Sequence, residues 1–265
     1  QTFNLYGTYD NTFANAHSVK VIVGGNYDYK YFKKLGMKRN GLLSESLDDF
    51  NLAKGDDISI TGGQEEYAIL GFFYRLNYGY KDRYLFEASG RYDGSSRFRR
   101  GHRFGFFPAA SVGWVISNEP FFKNMTRTVD LLKLRASYGA LGNNNVGLYA
   151  TKEIYNSANT AFGDKVQAGI VPGGFVNNEL TWEKTRVLDI GVDINFLKNF
   201  SLSVDFYNKE TLNILTSRPI SYNNGTSSGP VINGPKVRNR GVEFELNYTG
   251  QIAQGLGLQV SLNGA

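Results

Sequence analysis

The chain has 265 residues, with 31 glycines, 17 tyrosines and 19 phenylalanines against 6 prolines and 2 tryptophans. It contains no cysteine, which excludes disulfides, thiol catalysis and cysteine-ligated zinc. The net charge of +5 is scattered along the chain rather than gathered in a stripe, which argues against nucleic acid as a partner. No apolar run reaches the roughly 18 residues that a membrane-crossing helix needs. A β-barrel escapes that test, because alternate residues of its strands face water and dilute the apolar signal.

Period-two alternation puts successive side chains on opposite faces of a sheet, and it recurs along the whole chain. Phe3–Tyr9 is a short example and Val19–Tyr31 a longer one. In Tyr67–Tyr80, Leu70, Phe72, Tyr74, Leu76, Tyr78 and Tyr80 alternate with Arg75, Asn77 and Gly79. A two-residue joint, Lys81-Asp82, then leads into Arg83–Tyr92 as a tight hairpin. That strand sets Tyr84, Phe86, Ala88, Gly90 and Tyr92 against Leu85, Glu87, Ser89 and Arg91, and the break at 93–96 marks its rim. Phe104–Ser117, Leu131–Ala140, Trp182–Phe196, Phe200–Leu212, Val237–Thr249 and Leu256–Asn263 complete about ten strands. Several exceed the usual soluble strand of about 5–6 residues and suit a tilted membrane crossing of about 9–11.

Connection lengths divide by parity. Lys81-Asp82, Leu197–Asn199 and Gly250–Gly255 are short, whereas Lys38–Glu65, Asp93–Arg103, Leu141–Thr181 and Asn213–Pro235 are long. Outer-membrane barrels segregate turns and loops to opposite rims in this way. The connection Asn118–Asp130 falls on the short side and is too long for it. Tyr78, Tyr80, Tyr84, Phe86, Phe196, Phe200 and Tyr248 lie near strand ends and are expected to form an interfacial girdle. The expected fold is therefore an all-β, antiparallel transmembrane β-barrel. Both chain ends read as strands without a terminus device, so residues 1–265 are expected to be part of one barrel domain of a longer protein.

The stretches YLFEASGRYDGSSRF and FGFFPAASVGWVISNEPFF, followed by LLKLRASYGALGNN, NNELTWEKTRVLDIGVD and GPKVRNRGVEFELNY, carry a resemblance. In order and spacing they resemble the barrel of the SusC/RagA family of TonB-linked outer-membrane transporters. The resemblance covers residues 83–248 well and the first 80 loosely. It implies a barrel of about 22 strands, with a plug, a TonB-contacting segment and a closing C-terminal strand that are not recognisable here. It further implies a SusD-like surface lipoprotein as partner, TonB as energy source, and import of oligosaccharides or peptides across a Bacteroidetes-type outer membrane. No cofactor is implied.

The chemistry-bearing residues favour a wall over a catalytic centre. His17 and His102 are far apart in sequence and outside any ligand spacing, so no metal site is expected. Glu243 and Glu245 share one strand face rather than flanking a substrate, and no nucleophile elbow or phosphate loop is present. The residues expected to face a wet lumen are Glu87, Arg91, Lys133, Arg135, Asp189, Asp193, Asp205, Glu243 and Glu245. Asn144 and Tyr155, in the longest loop, are the candidate ligand contacts, since amides bond sugar hydroxyls and rings stack on sugar faces. Trp182 is expected to anchor the start of its strand. A siderophore-type receptor and a secreted carbohydrate-binding β-protein remain as alternatives.

Overall fold

The computed structural model describes residues 1–265 apart from Glu45, Leu47, Asp48, Thr126, Arg127, Tyr222, 224–228 and Gln254, and apart from the side chains of Asn124 and Ile252. Fourteen strands are described: β1 (Thr2–Phe13), β2 (His17–Arg39), β3 (Ile58–Tyr80), β4 (Tyr84–Ser95), β5 (Phe104–Val115), β6 (Val129–Asn143), β7 (Tyr155–Phe162), β8 (Lys165–Pro172), β9 (Glu183–Phe196), β10 (Phe200–Leu212), β11 (Leu215–Ser217), β12 (Val231–Asn233), β13 (Val237–Ala253) and β14 (Leu256–Gly264). Ten of them form one sheet in the order β1-β2-β3-β4-β5-β6-β9-β10-β13-β14, antiparallel throughout. The chain thus runs up and down like a meander, as barrel walls do. No described helix is long and apolar enough to cross a membrane.

Three hairpins share one joint. Residues 14–16, 81–83 and 197–199 connect the paired ends Phe13↔His17, Tyr80↔Tyr84 and Phe196↔Phe200. The first two residues of each joint have positive φ, for example 51° at Lys81 and 52° at Asp82. That geometry matches the right-handed twist of the flanking strands. The joint expected as two residues is therefore three long, with Arg83 N donating back to Tyr80 O at 3.0 Å.

Several strands run past their alternating segments. β2 and β3 continue to Arg39 and back from Ile58, so residues 38–39 and 58–65 of the expected loop 38–65 are strand. β4 does not break at Asp93 but pairs through Ser95. The two longest loops carry structure of their own. β7 and β8 form a hairpin inside 141–181, and β11 and β12 pair inside 213–235.

The register sorts the ten-stranded sheet into two faces. One carries Leu70, Phe72, Tyr84, Phe86, Val112, Trp114, Leu134, Ile190, Phe206, Val242 and Phe244, all large, apolar and exposed. On β9 this apolar band runs from Leu188 to Phe196, the length of one tilted crossing of about 9–11 residues. Beyond it Arg186 follows, and Glu210 of β10 pairs with Arg238 of β13 and with Lys236 just before it. Among the described residues the compact apolar core lies at the loop end, where Phe98, Phe107, Val146, Leu180 and Trp182 pack together with Ala150, Leu215 and Val231 against them.

Candidate functional site

The second face of the sheet is polar, and pairing by register brings all nine charged residues named above onto it. Arg135 stands opposite Gly191, which stands opposite Asp205, which stands opposite Glu243. One row away, Lys133, Asp193, Ser203 and Glu245 are paired in the same sequence. Ser137, Asp189 and Tyr207 form the row on the other side. Glu87 pairs with Ser111, which pairs with Ser137, and Arg91 lies farther along β4 on the same face.

Arg135 is the hub of this face. Its Nη1 lies 3.2 Å from Asp189 Oδ1 and 2.6 Å from Asp205 Oδ1, and its Nε lies 3.2 Å from Asp193 Oδ2. Its Nη2 donates to Ser203 Oγ at 3.1 Å and to Asp205 Oδ2 at 2.6 Å. Ser203 Oγ in turn donates to Asp193 Oδ1 at 2.8 Å. A planar guanidinium with five donors can serve several carboxylates at once, which a lysine ammonium on its flexible stem does less well. Three carboxylates around one cation leave the cluster with net negative charge, and Glu243 and Glu245 extend it.

Gly191 makes the hub possible. A Cβ there would sit 2.6 Å from the Arg135 Cζ, so the guanidinium lies across a strand position kept bare. The device recurs on the same face, across β2, β3 and β4. Arg91 Nη2 donates to Asp93 Oδ1 at 2.8 Å and to Asn26 Oδ1 at 2.9 Å, reaching over Gly71, which pairs with both Asn26 and Asp93. A Cβ on Gly71 would meet Arg91 Nη2 at 2.7 Å. A glycine inside a charged strand face is the sequence signal for such a close approach. The motifs DIGVD and LGFF carried it, and alternation alone passed over it. A third pair, Arg75 Nε to Glu87 Oε1 at 3.2 Å, links β3 and β4.

At the loop end, Trp182 is buried, its Nε1 donating to Arg103 O at 2.7 Å and its ring 5.3 Å from Phe107 and 5.5 Å from Phe98. This is the expected strand-start anchor, reached through the core rather than a girdle. Arg97 lies over the Tyr67 ring and donates to Val146 O at 2.6 Å. Asn144 is half-buried, and its amide donates to Ser95 Oγ at 3.0 Å. One of its two amide hydrogens is thus spent on holding the loop to β4. Tyr155 opens β7, paired with Pro172, and is 64% exposed. His102 sits in the turn before β5, where its carbonyl accepts from Thr181 Oγ1 at 3.3 Å. Among the described residues no group of three or more His, Cys, Asp or Glu is placed to hold a metal ion.

At the opposite end, aromatic side chains of the apolar face form a belt in two groups of ring contacts. His17 lies 4.8 Å from Tyr80, Tyr80 6.3 Å from Tyr84, and Tyr84 stacks on Trp114 at 6.4 Å. Phe196, Phe200 and Tyr248 continue it across β9, β10 and β13. The sequence did not single out Glu119, which is buried beside this belt. It accepts from Trp114 Nε1 at 3.1 Å and pairs with Arg83 Nη1 at 3.3 Å. The hydrogen bonds from Tyr84 and Trp114, with Arg83 beside them, outweigh burial and hold its carboxyl below the usual glutamate range.

Comparison with known proteins gives this geometry a family. The family model described as "TonB dependent receptor-like, beta-barrel" matches residues 1–265. The TonB-dependent receptor P3 of Formosa agariphila is 32% identical over 246 residues, which is 91% of this chain and 24% of that protein. The TonB-dependent receptor SusC of Bacteroides thetaiotaomicron is 31% identical over 258 residues, 93% of this chain and 24% of that protein. The chain therefore spans about a quarter of the length of these relatives. Among solved structures, the RagAB peptide transporter superposes with a TM-score of 0.87 at 27% identity, over 99% of this chain and 29% of that one. The siderophore receptor PirA from Acinetobacter baumannii superposes at 0.56 and 14% identity, over 93% of this chain and 34% of that one, a likeness of fold alone. The two-faced antiparallel wall is thus that of an outer-membrane barrel, and the chain belongs to the TonB-dependent receptor β-barrel family.

Proposed function

We propose that residues 1–265 are part of the barrel wall of a SusC-like transporter that imports oligosaccharides or peptides, driven by TonB and lidded by a SusD-like surface lipoprotein. The rest of the barrel and its plug belong to the longer protein. In this reading the apolar face meets lipid and the polar face lines the lumen. Arg135, Asp189, Asp193, Asp205, Glu243, Glu245, Lys133, Glu87 and Arg91 keep that lumen wet and brace it against the plug. The observation that carries the reading is the division of the sheet into two faces. Large apolar residues stand exposed on one face, and an arginine-centred ion network stands on the other. A single aqueous environment would not sort a sheet this way, since exposed apolar faces of this extent in water mark association or membrane. The role is transport rather than catalysis, and Tyr155 and Asn144 lie on the loop side where a cargo would enter.

SusC-type relatives and the RagAB likeness support the nutrient reading over the siderophore one, because the siderophore receptors share the fold at far lower identity. The test is deletion of the full-length gene in its own host. Loss of growth on an oligosaccharide or a peptide mixture as sole carbon source, restored by the gene, is the expected result. Loss of ferric-siderophore uptake with growth on both nutrients intact would overturn it. Purification of the tagged full-length receptor should also bring down a surface lipoprotein.

A further inference from the structure

One connection at the short-turn end does not resemble its neighbours. Where the joints 14–16, 81–83 and 197–199 use three residues, the chain between Val115 and Val129 forms two 3-10 segments, Ile116–Asn118 and Pro120–Met125. Glu119, between them, shows where this segment lies. It is only 6% exposed and takes hydrogen bonds from the indole of Trp114 and the guanidinium of Arg83, and it is hydrogen-bonded to Tyr84. Trp114 and Tyr84 both project from the apolar face, ring stacked on ring. A carboxylate bonded to the polar tips of both must lie on that same side of the sheet. The segment therefore folds back over the end of the aromatic belt instead of closing off the rim beneath it. Asn118 Nδ2 donates to Asp82 O at 2.8 Å and ties it to the adjacent hairpin joint.

The segment has two sides. Phe122 is 4% exposed and turned inward, whereas Phe121 and Met125 are 67% and 58% exposed. Leu197, in the hairpin joint whose amide donates to Thr128 O, is 56% exposed beside them. Apolar side chains placed just past an aromatic belt, on a turn anchored beneath by Phe122 and the hydrogen-bonded Glu119, have the make-up of an interfacial element. Arg83 offsets the one buried acid, so the turn carries no uncompensated carboxylate into that layer.

We propose that Ile116–Met125 is an interfacial foot, seated on the outside of the barrel in the phospholipid headgroup layer at the short-turn rim, with Phe121 and Met125 dipping toward the acyl chains. The proposal rests on the reading that the apolar face meets lipid. The occupant follows from continuity, since the foot is hydrogen-bonded to the belt residues Trp114 and Tyr84 and extends the same surface. Its work is to fix the depth of the wall at one rim, where the three-residue joints offer at most one large exposed apolar side chain, Leu197.

The test uses the full-length receptor in phospholipid nanodiscs, in a background whose only cysteine is the one introduced, carrying a nitroxide. The positions are Phe121→Cys, Met125→Cys, Val112→Cys on the apolar face and Lys81→Cys on a three-residue joint. Collision with oxygen, which concentrates in lipid, is compared with collision with a water-soluble nickel chelate. The expected oxygen-to-nickel ratio is several-fold higher at Phe121 and Met125 than at Lys81, and below that at Val112. Nickel-accessible labels at Phe121 and Met125 with a lipid-exposed Val112 would overturn the foot and leave the barrel reading standing. Labels shielded from both reagents would overturn it in favour of a protein contact. A nickel-accessible Val112 would overturn the reading on which the foot rests.

Discussion

The two faces of the ten-stranded sheet are built from the same strands and stabilised by opposite means. On the polar face, side chains satisfy one another: Arg135 alone engages Asp189, Asp193, Asp205 and Ser203. On the apolar face, Phe72, Val112, Ile190 and Val242 are each half or more exposed and touch little of their own chain. A soluble sandwich would press that second face against another layer and would show the core there. Here the core is displaced to the loop end, around Trp182, where the chain must hold its loops without help from lipid. The difference teaches that each face is complete only in its own solvent.

The loop-end core should give the largest single effect. Trp182→Ala removes a 4% exposed ring packed on Phe98 and Phe107, together with its bond to Arg103 O. A loss of about 3–5 kcal/mol is expected, read as a lowered unfolding midpoint of the full-length receptor and faster protease cleavage within residues 144–181. An unchanged midpoint would mean that the core does not hold the platform together.

The sharpest contrast between the faces lies in two adjacent residues. Val192→Lys places a charge near the middle of the apolar band and should cost about 2–4 kcal/mol. Asp193→Asn, one residue along, keeps Asp189 and Asp205 around Arg135 and should cost less than about 1 kcal/mol. Equilibrium refolding into lipid measures both, and equal costs would erase the distinction between the faces.

Gly191→Val tests how far the polar face depends on one bare position. Its Cβ would lie where the Arg135 guanidinium sits, so the hub must move or the strand must shift. About 1–3 kcal/mol of destabilisation is expected, and the same change should cost less in an Arg135→Ser background than in the parent, because the obstructed guanidinium is already gone. A Gly191→Val variant as stable as the parent would show that the guanidinium does not need the space.

The smallest effect concerns pH at the short-turn rim. Glu119 is held below its ordinary value, so its contribution is present above the unfolded carboxylate range of about 4.3 and is lost as pH falls through the folded value. A nitroxide at Met125 should therefore stay restrained near neutrality and become mobile only in acid, below that range. In Glu119→Gln the mobility should no longer change with pH. Loosening at pH 6 would contradict the depressed carboxyl.

Much of the wall was legible because alternation is a direct readout of a two-sided environment. Phe200–Leu212 was bounded to the residue, and the neighbouring strands differ only at their ends. The extensions of β2 and β3 were not legible, since Phe32 on the polar-face parity and Lys33 on the apolar one break the period where the hairpin leaves the band. β7 and β8 hid for a similar reason: exposed on both faces, they impose no pattern that a core or a bilayer would enforce. The charged residues of the polar face were visible one strand at a time. Their convergence on Arg135 was not, because it depends on pairing register across β6, β9 and β10, which no single strand encodes. Glu119 left only an indirect trace, a connection too long for its side of the sheet.

The central claim, lipid on one face and water on the other, is tested most directly along β9. Single cysteines at each position from Leu188 to Asn195 of the full-length receptor, in native membranes, would be offered a water-soluble, membrane-impermeant maleimide. Labelling should alternate, strong at Asp189, Asp193 and Asn195 and weak at Leu188, Ile190, Val192 and Ile194. Uniform labelling, or strong labelling at the even positions, would contradict it.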